Sequence, residues 1–310
     1  MKDKFINQVI VEGYVFDHSL THRVTGEHSK NPGTDFINGT INIAIDDEGL
    51  NVVPVVFSYV TATYKSGNAN RTYQVLDQLI NNASTFQSAG TGATRVKVTG
   101  SVDTNDFLGR DGEMVCAKRV AGSFCDIVQS ADGKADFEAD MLIYAVRPRE
   151  VEDGDDYLEL DGYCFNFRGD LLPVTFSVVS PQGINYFESL DVSADEPVFE
   201  KVWGQIVSTV VKKEEVIESN WGESQVKISS RSFTAWQVTG SNNNCGEFGD
   251  DSVMTKDELE KAKKARTEYV AAEKARQEEY RNSQQGKAGF PEAKDTAKTS
   301  SPTAVADYKF

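Results

Sequence analysis

The chain has 310 residues, 39% hydrophobic and 26% charged, enough for two ordinary globular domains that each bury a core. Its longest apolar runs, such as residues 52–57, are strand-sized and far short of the roughly 20 residues of a membrane-spanning helix, so no membrane partner is expected. The formal charge of −16 is uneven, −3 over residues 1–130, −12 over 131–240 and −1 over 241–310; since phosphates are bound by cations, this total argues against a polyanion as partner, and any that were bound would fall more on the first segment than on the second.

In chain order, residues 5–18, 36–45, 52–64, 94–102 and 114–128 show the alternation and β-branched content of strands. Between the third and fourth, residues 72–82 place Val75, Leu76, Leu79 and Ile80 at helical spacing. Asp46, Asp47, Glu48 and Gly49 mark the turn between strands two and three, and a Gly-rich segment at 88–92 separates the helix from strand four. A helix between the third and fourth of five strands is the order of an OB fold.

The same order recurs, with strands at 136–146, 157–167, 171–179, 197–211 and 225–240 and a helix slot at 184–190. Aligning the third strands puts Pro54 on Pro173, Phe57 on Phe176 and Ser58 on Ser177. Asn38 and Gly39 match Asp161 and Gly162, the segment from Lys97 to Gly100 matches that from Lys201 to Gly204, and Arg119 matches Arg231. These matches, in one order and within equivalent elements, indicate a duplication. The fold class expected is all-β, two tandem five-stranded OB-type barrels at 1–130 and 131–240; a single large sandwich is the alternative. The proline kept in both third strands suggests a bulge or barrel corner.

After Gly240 a linker leads to a capping-box signature, Thr255 to Glu258, that opens a charged helix to about residue 282. Leu259, Ala262, Tyr269 and Tyr280 give it only a thin apolar stripe, so it is expected to be mostly solvated. A linker and charged helix thus occupy 241–284, and a flexible tail 285–310.

Chemistry-bearing motifs are sparse. Cys116, Cys125, Cys164 and Cys245 form no C-x-x-C pair, which argues against a zinc ribbon or a disulfide framework, and His18, His22 and His28 read as a polar loop. The acidic run at 152–156 lacks calcium-loop spacing and reads as a solvated turn. Phosphate-loop, nucleophile-elbow and zinc-protease motifs are missing, so no enzyme and no cofactor are expected. Without the apolar stretch of a secretory signal near residue 1, a cytoplasmic location is expected.

A glycine-bearing strand at 11–15 leads to a basic polar loop at 22–30, a strand at 35–44 and, after the helix, the segment from Arg95 to Val102. On these residues the first domain resembles bacterial single-stranded DNA-binding proteins, and the whole resembles a diverged tandem OB-fold form of phage or plasmid type. The resemblance covers about 240 residues. It implies sequence-tolerant binding of single-stranded DNA in replication or recombination, in a bacterial host cell. It also implies recruitment of replication or recombination proteins through the C-terminal helix and a tip carrying Tyr308 and Phe310. The sequence departs from the family at that tip, where Lys309 stands beside Phe310 and the acidic run is missing.

An OB barrel offers strands two and three and the flanking loops to unpaired bases, which stack on aromatic rings while Lys and Arg follow the phosphates. The candidates are Arg23, Lys30, Tyr59, Tyr64, Lys65, Arg71, Lys118 and Arg119 in the first copy. In the second they are Arg147, Arg149, Phe165, Phe167, Arg168, Trp203 and Arg231. Core packing is the competing role for each ring, and an ordinary solvated charge for each cation. The competing function is an acidic protein-binding or structural β-module, as in a phage accessory protein, which the −12 of residues 131–240 favours.

Overall fold

The computed structural model describes residues 5–130, 132–150, 156–217, 221, 225–243, 246–249 and 254–285, side chains excepted at 209–217, 225–233 and 284–285. The elements are β1 (Asn7–His18), β2 (Thr21–Val24), β3 (Asp35–Ala44), β4 (Val52–Thr61), α1 (Arg71–Asn82), α2 (Phe86–Ala89), β5 (Arg95–Leu108), β6 (Met114–Val128), β7 (Lys134–Arg149), β8 (Tyr157–Phe165), β9 (Leu171–Val178), α3 (Pro181–Glu188), β10 (Val198–Ile217), β11 (Gln225–Asn242) and α4 (Lys256–Gln285).

Strand pairing closes twice on itself. β1 pairs with β3, β3 with β4, β4 in parallel with β6, β6 with β5, and β5 with β1. The second cycle repeats this: β7 with β8, β8 with β9, β9 in parallel with β11, β11 with β10, and β10 with β7. The two rings share one eleven-stranded sheet, because β1 also pairs antiparallel with β7, Val9 opposite Phe137 and Glu12 opposite Lys134. Asn7 stitches them further: its side-chain amide donates to the carbonyls of Val102 and Phe165, and Val102 N donates to its Oδ1 at 2.8 Å.

The alternation in each strand fills the rings. Val9, Val11, Ile37, Ile41, Val55, Phe57, Val96 and Val98 are buried in the first, and Phe137, Leu160, Val174, Phe176, Ile206 and Trp236 in the second, as one continuous apolar cluster. Burial of such surface, at about 25 cal/mol per Å², is the main favourable term. A smaller cluster of Leu142, Phe165, Leu171 and Phe199 closes the second ring beneath Met254 and Leu259 at the start of α4. That helix docks at its N-terminus, through a Thr255–Glu258 capping box whose hydroxyl accepts from Glu258 N at 3.2 Å.

The repeated glycine of the fourth strands has a geometric cause. Register shifts occur between Thr99 and Gly100 and between Trp203 and Gly204, and a Cβ would stand 2.2 Å from Ala121 O at Gly100 and 1.9 Å from Gln237 O at Gly204. Each is a bulge where a second backbone approaches too closely for any side chain. The repeated proline differs from expectation: neither Pro54 nor Pro173 sits at a register shift. Parallel pairing on their other edge involves only Val55 and Val56 in β4 and Ser177 in β9, so a missing N–H is tolerated at a stretch without a ladder.

Both helix slots are filled. Asn70 caps α1 by accepting from Thr72 N at 3.0 Å, and Leu76 and Leu79 are buried. α3 starts earlier than expected because Ser180 caps it and Pro181 occupies its first turn. The β5–β6 and β10–β11 hairpins run longer than their sequence patterns suggest, to Leu108 and Ile217.

Candidate nucleic-acid interface

The polar segment expected to be a loop after β1 contains β2, which pairs with β3, Thr21 opposite Asn38 and Arg23 opposite Phe36. One face of this short strand is pinned to α1: His22 Nε2 lies 3.0 Å from Asp77 and its Nδ1 3.3 Å from the Tyr73 hydroxyl. Alternation then turns Thr21 and Arg23 to the opposite face. There Asn38 Oδ1 accepts from Arg23 Nε at 3.0 Å and from Thr21 Oγ1 at 3.2 Å. Beside them the Phe36 ring packs against Tyr59, centroids 4.6 Å apart and planes 45° apart, and Tyr59 is 50% exposed.

The surroundings extend this face. Lys30 stands exposed in a loop that Thr25 ties by accepting from Thr34 N at 2.8 Å. Tyr64, 44% exposed, and exposed Lys65 lie in a turn closed by Gly67 N donating to Tyr64 O at 2.9 Å. Along β4, Pro54 and Ser58 are also exposed. Of the predicted residues, Arg23, Lys30, Tyr59, Tyr64 and Lys65 therefore lie on or beside the β2–β3–β4 face. Phe36 and Asn38 were missed, since nothing in an alternating strand marks which apolar residue faces outward.

Three other first-copy candidates are engaged within the protein. Arg71 pairs with Asp126 at 2.7 Å and Arg119 with Asp103 at 2.7 Å. Lys118 is a correction: its ammonium donates to the carbonyl of Thr175 on β9 and lies 5.5 Å from the Phe176 ring centroid. Burial pushes its pKa down to about 8, against the opposing pull of Glu159, Cys164 and Asp161. It fills a junction between the rings and is not available to a phosphate.

The second copy is arranged differently. Phe165 is another correction, 1% exposed and stacked between Phe5 at 4.3 Å and Phe199 at 5.8 Å, because the cluster beneath α4 needs a large apolar side chain there. Arg147 bonds Asp161 at 2.7 Å and Glu159 at 3.2 Å, and Arg149 bonds Glu159 at 2.8 Å, so the acidic residues of β8 neutralise both. Phe167 is 74% exposed at the β8–β9 turn with the Arg168 guanidinium 5.1 Å from its ring centroid. Trp203 lies against Gly240. The side chain of Arg231, Cys245, residues 152–155 of the acidic run, and Tyr308 and Phe310 lie outside the described residues. Among the described residues no three His, Cys, Asp or Glu side chains gather as a metal would require, and no helix is long and apolar enough to cross a membrane.

Comparison with known proteins gives one family. The family model YorF matches residues 6–276. No curated protein matches the chain. Solved structures similar to it include a deletion mutant of the single-stranded DNA-binding protein from Thermus aquaticus, with TM-score 0.47, 13% identity, and coverage of 80% of this chain and 98% of that one. The wild-type form of that protein gives TM-score 0.46, 12% identity, and coverage of 77% of this chain and 93% of that one.

Proposed function

We propose that this protein, which belongs to the YorF family, binds single-stranded nucleic acid, and DNA in the first instance, on the β2–β3–β4 face. We read its two closed rings as tandem OB-type barrels, with boundaries near residues 130 and 240. The strand order, the helix between the third and fourth strands and the parallel third-to-fifth pairing support that reading. The observation that carries the function is the Phe36–Tyr59 ring pair, presented beside Arg23 and Asn38 on an open sheet face.

Bases of any sequence have a π-face, and each stacked base contributes about 1–3 kcal/mol, so a stacking platform suits a sequence-tolerant binder in an acidic protein. The free cations near the rings, Arg23, Lys30 and Lys65, are few. Three phosphate contacts give a slope of log K against log salt of about −2. No catalytic step belongs to this reading. The role it fits is holding DNA single-stranded during replication or recombination in a bacterial cytoplasm.

The test is fluorescence anisotropy with labelled oligo-dT at low and moderate salt. Intrinsic fluorescence is a poor reporter, because Trp203, Trp221 and Trp236 all lie in the second half. Salt-sensitive binding at micromolar protein supports the proposal, and no change in anisotropy at low salt refutes it.

A further inference from the structure

The two rings repeat one topology, but their equivalent faces do not have the same freedom. In an OB barrel the hairpin of strands four and five flanks the face made by strands two and three, and both touch the nucleic acid. Here the first ring's hairpin, β5–β6, leans on the second ring instead. Lys118 donates to Thr175 O, and Cys116 Sγ lies 4.0 Å from Pro173 O, both on β9.

The far end of that hairpin is held by α4. Arg266 forms a two-pronged ion pair with Asp106, with side chains 15% and 5% exposed. Gln277 accepts from Leu108 N at 2.7 Å and donates to Asp106 O at 3.1 Å, and Arg281 donates to Gly109 O at 2.9 Å. The hairpin is fixed over β9 by side chains from a third element, so it is not a loop resting there by chance.

Beneath it, the outward residues of β9 are more covered than those of β4. Where the first ring exposes Pro54, Ser58 and Tyr59, the aligned Pro173 and Ser177 are half-buried and Val178 is buried. Asp161 accepts from Thr175 Oγ1 at 2.6 Å and pairs with Arg147, closing a polar network in which Asp161 and Glu159 neutralise Arg147 and Arg149. The first-ring face has β2 added at its rim, and Tyr59 there remains 50% exposed beside half-buried Phe36.

We infer that each chain takes up one short stretch of unpaired strand, on the first ring alone, and that the matching face of the second ring has become an internal docking surface for the β5–β6 hairpin and α4. This rests on the function proposed above and adds the number and place of the sites.

Native mass spectrometry of the full chain with excess dT8, a length within the roughly 4–16 nucleotides one OB fold covers, counts the sites directly. One oligonucleotide per chain is expected, together with at least a tenfold weaker affinity in the Phe36→Ala/Tyr59→Ala double variant and less than a twofold change in Arg168→Glu. Circular dichroism of the variants separates loss of binding from loss of fold. Two oligonucleotides per chain, or one that survives the double substitution unchanged, would overturn the single-site inference while leaving single-strand binding itself intact. No binding by the wild-type chain overturns both.

Discussion

Replacing Lys118 with methionine should make the protein more stable, although it deletes a hydrogen bond. Methionine keeps the stem that packs near Phe176 and removes the ammonium that burial disfavours. A displacement from the ordinary 10.5 to about 8 corresponds to about 3 kcal/mol against the charged form at neutral pH. Leaving the Thr175 carbonyl without its donor costs about 1–2 kcal/mol, so a net gain of about 1–2 kcal/mol is expected at pH 7. The sign of the pH dependence follows from proton counting. Between pH 8 and 10.5 the unfolded chain holds a proton on Lys118 that the folded chain has released, so wild-type stability rises with pH across that window. The variant lacks this contribution, so its advantage should vanish between pH 8 and 10 and the wild type should become the more stable of the two by about pH 10. Urea denaturation at several pH values measures it. A variant less stable at pH 7, with a pH-independent difference, would show that the ammonium is solvated and that the junction between the rings is not sealed as described.

Removing one ring of the platform, by Phe36→Ala or Tyr59→Ala, should weaken oligo-dT binding by about 1–3 kcal/mol each, with the salt slope unchanged because no cation is lost, as anisotropy titrations would record. Gly100→Ala and Gly204→Ala each force a Cβ to within 2.2 and 1.9 Å of a carbonyl oxygen and should cost more than about 2 kcal/mol, read by thermal denaturation. Arg266→Ala leaves Asp106 buried and uncompensated, which should cost about 3–5 kcal/mol and speed hydrogen exchange in α4. Burial raises the pKa of Glu200, whose Oε1 accepts from the Tyr186 hydroxyl. A raised carboxyl contributes its stability below the unfolded value of 4.5 and loses it as pH rises through the folded value, so Glu200→Gln should flatten that part of the stability profile in denaturation from pH 4 to 7.

Periodicity located ten of the eleven strands, and the repeat showed that their order occurs twice, because alternation and the Lys97–Gly100 and Lys201–Gly204 matches are imposed by pleating and by close backbone contacts. β2 escaped notice because four polar, exposed residues carry no alternation; only pairing with β3 makes them a strand. At the candidate interface, Tyr59, Tyr64, Arg23, Lys30 and Lys65 were legible as aromatic and basic residues flanking a strand. Phe36 was not, since an outward phenylalanine and an inward one look alike in a run of alternating side chains. The fates of Lys118, Arg147, Arg149 and Phe165 were not legible either. Each is decided by an element distant in sequence or across a hairpin: β9 for Lys118, β8 for the arginines, and Phe5 and Phe199 for Phe165.

The central claim is that unpaired bases stack on the first ring between β2 and β4. Ultraviolet cross-linking of the full chain to oligo-dT, followed by peptide mass spectrometry, locates the contact without assuming where it lies. Adducts on Phe36 and Tyr59, with Tyr64 at the margin, are the predicted result; adducts confined to Phe167, Trp203 or other second-ring residues would contradict the account.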